Sequence, residues 1–391
     1  MILLPIFMLM KHYHYIFAGA GLSSLMTVYK LAESGFFSDK SILLLDTSEK
    51  KDNDRTWCFW ESGKGNWDEV VIKSWNEGDF IGKGFTKELD FENYSYKMVQ
   101  GIDFYTHVHN QLKQYSNITF AAQKVIDFKD LDTHVLVKTD TESYTCNKLF
   151  NSIYNPAIPA QRKYPVLQQH FKGWFFKIPS ALTDSSKITF MDFSIPQKGN
   201  TRFMYVLPVS ENEILVEYTL FSEKLLPENE YDAAIKDYLK TMGINDENLE
   251  NSIQHTEKGS IPMTSFPFWK NNTKNVLNIG SAGGWTKAST GYTFKNTDKI
   301  SSRLIQFLRH ESDFRKFHKK TRFWFYDMLL LDILYRNNEK GSLIFSSMFK
   351  KARASLIFKF LDEETSPAED LKVILKCPKG LFVKALWRNI F

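Results

Sequence analysis

Two carboxylates stand inside apolar, strand-like runs of this chain, where an unpartnered charge is costly to bury. Asp192 sits in Phe190-Met191-Asp192-Phe193, and Glu217 in Ile214-Leu215-Val216-Glu217-Tyr218-Thr219-Leu220. In strict alternation Glu217 shares a face with Leu215 and Thr219, so it need not point to solvent. A carboxyl so enclosed takes a raised pKa and can act as an acid near neutral pH, or oppose a developing cation. A salt-bridged or edge-facing acid is the alternative for both residues. Aromatic residues make up 15% of the chain, well above ordinary usage. Trp57, Phe59, Trp60, Trp174, Phe175 and Phe203 can line an apolar tunnel whose ring faces steady a cation by about 0.5–2 kcal/mol each. A large core is the plainer use of the same residues.

A second constellation suits a phosphate. Residues 13–18 read as a short buried strand, Gly19-Ala20-Gly21-Leu22-Ser23-Ser24 as a glycine turn, and 25–34 as a helix. Residues 41–45 form a second strand ending on Asp46. This βαβ order sets a pyrophosphate on a helix N-terminus, where unpaired N–H groups and the helix dipole meet its charge. Gly19 permits the tight turn, Gly21 lets the backbone approach the phosphate with Ala20 between them, and Asp46 can accept hydrogen bonds from a ribose. Ser24 stands where a third glycine usually packs helix on strand. An ordinary glycine turn in an α/β domain is the alternative. Further on, Val276-Leu277-Asn278-Ile279 reads as a buried strand that enters Gly280-Ser281-Ala282-Gly283-Gly284, with a helix from about 292 to 308. A simple nicotinamide enzyme needs one such loop. The return of a second strand, turn and helix narrows the dinucleotide to FAD.

These elements predict an α/β fold with a glutathione-reductase-like, Rossmann-type FAD-binding domain assembled from 10–52, 101–154 and 271–308. Segments 53–100 and 155–270 are β-rich insertions expected to bind substrate, and 309–391 is a helical C-terminal part. That tail, counted from 311, holds 16 Lys+Arg against 10 Asp+Glu, so it carries more than the whole chain's net charge of +5. Basic residues alternating with apolar ones suit an acidic membrane surface, with a solvated helical face as the alternative. No nucleic-acid motif accompanies the charge. The three cysteines (Cys58, Cys146, Cys377) are odd in number and far apart, which fits a reducing cytoplasm and no disulfide framework. The nine histidines show no metal-ligand spacing, so no metal is expected. The longest apolar run, 2–10, is about half of a membrane span. Nucleotide domains begin close to their first strand, so Met10 is the expected start.

The same motifs, in order along nearly the whole chain, resemble those of the FAD-dependent lycopene β-cyclases of carotenoid biosynthesis. The resemblance rests on the N-terminal fingerprint, Asp54-Arg55-Thr56-Trp57-Cys58-Phe59-Trp60, Phe190-Met191-Asp192 and Arg202-Phe203-Met204-Tyr205-Val206-Leu207-Pro208. It continues through Val216-Glu217-Tyr218-Thr219, Gly259-Ser260-Ile261-Pro262-Met263, Gly283-Gly284-Trp285-Thr286-Lys287-Ala288-Ser289-Thr290-Gly291-Tyr292 and Phe360-Leu361-Asp362-Glu363-Glu364-Thr365. It implies an isomerase that turns the ψ-ends of lycopene and related carotenoids into β-rings. Glu217 is then the catalytic acid or cation partner, with Asp192 as a second acidic candidate. Gly19, Ala20, Gly21, Asp46, Arg55, Gly280, Gly283, Gly284, Thr290 and Gly291 become the cofactor-binding set. Reduced FAD is implied as the active cofactor and NAD(P)H as its reductant. The expected place is cytoplasmic, peripheral at the inner face of the cell membrane. Family members often carry an acid where Tyr218 stands and a proline where Ala288 stands. A redox flavoenzyme on the same scaffold (a monooxygenase or polyprenyl reductase) and a non-catalytic carotenoid carrier are the alternatives.

Overall fold

The computed structural model describes residues 10–155, 157–158, 161, 163–178, 184–244 and 252–390. The opening apolar run therefore lies, except for Met10, outside the described residues. The aliphatic runs form strands Lys11–Ala18 and Ile42–Asp46, whose C-terminal halves are buried on both faces, as a parallel sheet covered on both sides requires. They pair in parallel with each other, with Ile118–Ala122 and with Ser143–Asn151. The short strand Val276–Asn278 adds to the far end of Ser143–Asn151, although more than a hundred residues separate them. An antiparallel hairpin, Val125–Asp130 and Val135–Thr139, completes this seven-stranded sheet. One face packs Phe17 and Leu44 against helices Leu22–Glu33, Gly101–Leu112 and Phe294–Leu308, and the other packs Ile16, Leu43 and Leu45 against Val135 and Val137.

A second seven-stranded sheet runs in the order Ile253–Thr264, Val166–Lys177, Glu213–Ser222, Arg202–Ser210, Lys187–Asp192, Glu77–Gly82, Phe85–Asp90. Its outer face carries Trp174, Phe176, Val216 and Tyr218 under helix Glu228–Thr241. Its inner face looks toward the C-terminal helices, where Phe190, Phe203 and Leu215 share a core with Phe345, Phe349 and Phe358. Two elements of it differ from the sequence reading. Segment 53–100 is split, because Glu77–Gly82 and Phe85–Asp90 extend the large sheet while Thr56–Ser62, Lys73–Trp75 and Tyr94–Gln100 make a small one. The long strand Ile253–Thr264 has no apolar alternation until its last residues, so its period was invisible to a hydrophobicity argument.

The three-stranded sheet joins the two halves. Strand alternation sends Phe59 and Val99 into the first core and their neighbours Trp60 and Met98 into the second. The C-terminal helices Arg322–Arg336, Gly341–Lys351, Ala354–Leu361, Pro367–Ile374 and Lys379–Ile390 close the inner face. Acids at the end of Ala354–Leu361 pin them: Glu363 to Lys287 at 2.7 Å, Glu364 to Lys299 at 2.7 Å. Lys287 is 7% exposed and also pairs with the buried Asp327 at 2.8 Å. Replacing Lys287 by Met leaves Asp327 without its cation, and breaking a buried pair in this way costs about 3–5 kcal/mol. The expected result is a clear fall in the urea midpoint of Lys287→Met, recovered in large part by adding Asp327→Leu; an unchanged midpoint contradicts the pinning role.

Candidate active site

Strand Glu213–Ser222 sorts its side chains by parity. Val216, Tyr218 and Leu220 go to the helix-covered face, so Leu215, Glu217, Thr219 and Phe221 line an internal cavity of about 830 Å³. Register sets Tyr205, Glu217, Gly173 and Glu257 side by side on four neighbouring strands. Tyr205, Glu217 and Glu257 all line the cavity. Gly173, between the two glutamates, contributes no side chain. A Cβ there would lie 3.5 Å from Glu217 Cβ, 3.4 Å from Glu257 Cγ and only 2.8 Å from Leu215 Cδ1. The glycine thus lets Leu215 and the stems of the two glutamates pack closely over its backbone.

Both carboxyls are part-exposed, but the surface they expose is cavity wall rather than bulk water. Burial pushes the Glu217 carboxyl well above the usual range, and the negative charge of Glu257 pushes it further, against a hydrogen bond from Thr219 Oγ1. Burial raises Glu257 as well, partly offset by the Thr56 hydroxyl and the Arg55 charge. Around them Tyr205 donates to the Tyr96 hydroxyl, which is 3.1 Å from that of Tyr292, and Cys58 adjoins this cluster with its thiol held protonated by burial. Trp57, Phe171, Phe190 and Phe203 supply apolar wall. A carboxyl that keeps its proton near neutrality, enclosed by ring faces, can protonate a weak carbon base and shelter the cation formed.

The cavity continues to the glycine loops. Gly19 adopts φ +89°, and a Cβ would fall 2.2 Å from Ser152 Oγ, so no other residue fits this turn. Gly21 caps helix Leu22–Glu33 with no side-chain hydrogen bond, and the first turn holds no acid. A Cβ on Gly21 would meet nothing within 4 Å, and Gly21 and Leu22 line the cavity. The leading amides are therefore open to an anion. Asp46 accepts from Ala20 N–H at 2.7 Å and Ser48 N–H at 2.8 Å, bracing the loop while keeping acceptor capacity for a ribose. The second loop is a one-turn helix, Gly280–Gly283, closed by Gly284. Gly280 packs on Ser23, so the two loops meet, and Ser281 lines the cavity beside Gly21. Arg55, Thr290 and Gly291 also line it, and Thr290 Oγ1 is buried with no hydrogen-bond partner. Open amides at one end and an orphaned hydroxyl further along fit a dinucleotide such as FAD.

Asp192 does not join this site. It lies 3% exposed on the helix-covered face, opposite Met204, and accepts from Tyr238 Oη at 2.8 Å and Ser194 N–H at 2.7 Å. Tyr218 points to the same outer face, donated to by Arg202 Nη1 at 2.8 Å. An acid at position 218 would not stand beside Glu217; the neighbouring carboxyl comes from Glu257, two strands away. Sequence reasoning missed Glu257 because its strand looks like a polar loop. No apolar signal along the chain marked it; in the structure His255, Glu257, Gly259 and Ile261 are less exposed than Thr256, Lys258 and Ser260 between them. Among the described residues no group of three or more His, Cys, Asp or Glu is placed to hold a metal ion.

A family model described as lycopene cyclase protein matches residues 15–387. A search of curated proteins by sequence found no match. The solved structure of a flavoprotein/dehydrogenase from Cytophaga hutchinsonii aligns with TM-score 0.62 and 12% identity, over 97% of this chain and 100% of its own. A geranylgeranyl bacteriochlorophyll reductase-like protein from Thermoplasma acidophilum gives 0.59 and 11%, with the same coverage. Halogenase PltM, solved in complex with FAD, gives 0.56 and 10% over 89% of this chain and 78% of its own. At these identities the likeness is one of fold, and it is the Rossmann-type flavoprotein fold expected from the glycine loops.

Proposed function

Because the chain belongs to the lycopene cyclase family, we propose that it closes the ψ-ends of lycopene and related carotenoids into β-rings, an isomerisation that uses reduced FAD without consuming it. The observation that carries this reading is a carboxyl with a raised pKa, Glu217, inside an aromatic cavity continuous with an anion-ready glycine loop. Lycopene is a long neutral hydrocarbon with no polar handle. Its recognition rests on apolar shape, which the walls from Phe171 to Phe349 provide. Glu217, protonated near neutrality, gives its proton to C2 of a ψ-end and leaves a tertiary cation at C1. The C5=C6 bond closes on that cation, and loss of the C6 proton leaves the β-ring. Gly19, Ala20, Gly21, Asp46, Arg55, Thr290 and Gly291 would hold reduced FAD, which when bound would supply an electron-rich neighbour to the cation, with NAD(P)H as its reductant. The enclosing helices keep water away from a cation it would otherwise capture.

The same reading gives the substrate a membrane source. Among the described residues no helix is long and apolar enough to cross a membrane. Leu375, Val383 and Leu386 line the cavity and are also exposed at 50%, 63% and 37%. The cavity therefore opens through an apolar rim, extended by exposed Leu371 and Ile390 and interleaved with exposed Lys372, Lys379 and Lys384. That combination suits the interface of an anionic bilayer. The basic run 315–322 is a weaker candidate, since Arg315, Lys316 and Arg322 are engaged by Asp313, Glu311 and Asp370.

Three outcomes test this. Glu217→Gln should lower the rate of lycopene cyclisation with reduced FAD by about a hundredfold or more, with flavin content unchanged and product mass equal to substrate mass in the wild type. Asp192→Asn, outside the cavity, should leave the rate near wild type. The wild-type rate should hold at neutral pH and fall as pH rises through the elevated Glu217 pKa, because the protonated form is the active one. A Glu217→Gln protein as fast as wild type sinks the acid assignment. Asp46→Ala should lose a contact of about 1–3 kcal/mol and with it flavin occupancy, read from the visible absorbance of the purified protein; full occupancy contradicts the ribose role. Reversing Lys372, Lys379 and Lys384 to Glu should reduce co-sedimentation with anionic liposomes, most at low salt; undiminished binding places the membrane face elsewhere.

A further inference from the structure

We propose that Glu257 is the base that removes the C6 proton, so that Glu217 and Glu257 form a two-carboxyl relay with the substrate ring closing against the cavity wall that both line. The inference rests on the cyclase reading and extends it to the second half of the reaction. A cyclisation that begins by adding a proton must end by losing one, and the carbon that loses it is adjacent to the new ring bond. Glu217 and Glu257 flank one point on the same sheet face, each within 3.5 Å of where a Gly173 Cβ would be. Both line the cavity, and neither is held in an ion pair, unlike Glu61, Asp327 and Glu363 elsewhere in the interior.

The step balances. The Glu217 proton forms the new C2–H bond, the C5=C6 pair forms the C1–C6 bond, and the cation moves to C5. The C6–H pair then becomes the C5=C6 double bond, and the released proton goes to the Glu257 carboxylate. Glu217 is now ionised and Glu257 protonated. Transfer of that proton from Glu257 back to Glu217 restores the starting pair, with no oxidant or reductant. Burial raises both carboxyls, and the negative charge of Glu257 raises Glu217 further, so the two titrate as a pair. The groups facing the pair are Thr219, Thr56, Arg55, Cys58, Tyr205 and Tyr292. Arg55, the cation among them, acts on Glu257 and favours its ionised, base form before the reaction.

The test uses the full-length flavoprotein with lycopene, as wild type, Glu257→Gln, Glu257→Asp, Gly173→Ala and Glu217→Gln. Without the base, the C5 cation is formed but loses its proton elsewhere: from C4 to give an ε-ring, or from the C5 methyl to give an exocyclic alkene. Glu257→Gln should therefore turn over about a hundredfold more slowly and divert part of its product into those isomers. Glu257→Asp should restore β-ring purity in part. Removing the Glu257 charge should also move the alkaline limb of the pH–rate profile to lower pH, since a like charge no longer holds the Glu217 proton. Gly173→Ala, whose Cβ presses on Leu215 and on the stems of both glutamates, should lower the rate while both carboxyls remain. A Glu257→Gln protein making only β-rings with an unmoved pH limb, at any rate, overturns the relay. An active Glu217→Gln overturns the acid assignment and the relay with it, whereas slow Glu217→Gln with unaltered Glu257→Gln refutes Glu257 alone. Infrared titration of the protonated carboxyl band, which needs no turnover, should show each glutamate shifting when the other is replaced; independent titrations overturn the proposal even where a variant is inactive for other reasons.

Discussion

Two ionisable carboxyls face one largely apolar cavity, and most of the architecture answers the cost of keeping them there. An isolated buried carboxylate would shift its pKa or draw in water and a counter-ion. Here the sheet offers few counter-ions on the inner face, and two of the buried lysines are taken by other acids, Lys287 by Asp327 and Glu363, Lys97 by Glu61 and Asp68. The protein thus separates acids that are neutralised from acids that hold protons. The first kind fastens the C-terminal helices and the small sheet. The second kind is left facing the cavity.

Strand parity does the sorting. Along Glu213–Ser222 every other residue belongs to the core beneath helix Glu228–Thr241, and the rest face the cavity. A one-residue slip would bury Tyr218 in the cavity and send Glu217 under the helix. The register is held by pairing on both sides, with Val166–Lys177 and Arg202–Ser210. The same rule operates in the small sheet, where adjacent Phe59 and Trp60 belong to different cores. That sheet transmits the position of the glycine-loop half to the substrate half, because one strand serves both.

Much of this was legible in the sequence, and the parts that were not share a physical cause. The two glycine turns, Asp46 and the cavity-facing parity of Glu217 follow from local pattern: a strand must precede a phosphate turn, and alternation fixes which face a residue takes. Asp192 shows where alternation stops being enough. Its neighbours are as apolar as those of Glu217, and strict alternation would place it with Phe190 on the inner face, but a register irregularity between Thr189 and Asp192 turns it to the outer face, where it meets Tyr238. Glu257 was hidden for the opposite reason. Its strand lies at the sheet edge and faces a cavity, so it has little apolar core to reveal its period. The pairing of Glu217 with Glu257 is a relation between strands about forty residues apart in sequence, joined through Gly173, and no window along the chain contains it.

The acids of Asp362-Glu363-Glu364 illustrate how a chemically suggestive motif can serve position instead. Three consecutive carboxylates at a helix end invite a catalytic reading, yet Glu363 and Glu364 reach Lys287 and Lys299, and none of the three lines the main cavity. Their neighbours Phe360 and Leu361 do. The motif therefore sets an apolar wall by fastening its polar residues to the segment that follows the second glycine loop. Lys287 and Lys299 flank Thr290, Gly291 and Tyr292, so the same contacts that close the cavity's roof fix the stretch running from the cofactor loop toward Glu217. On the proposed cyclase reading, a cavity that excludes water around a cation and still admits a long hydrocarbon needs its lid tied at one end and apolar at the other. The ion pairs at Glu363 and Glu364 tie the inner end, and the rim at Leu375, Val383 and Leu386 leaves the outer end to a partner as apolar as itself.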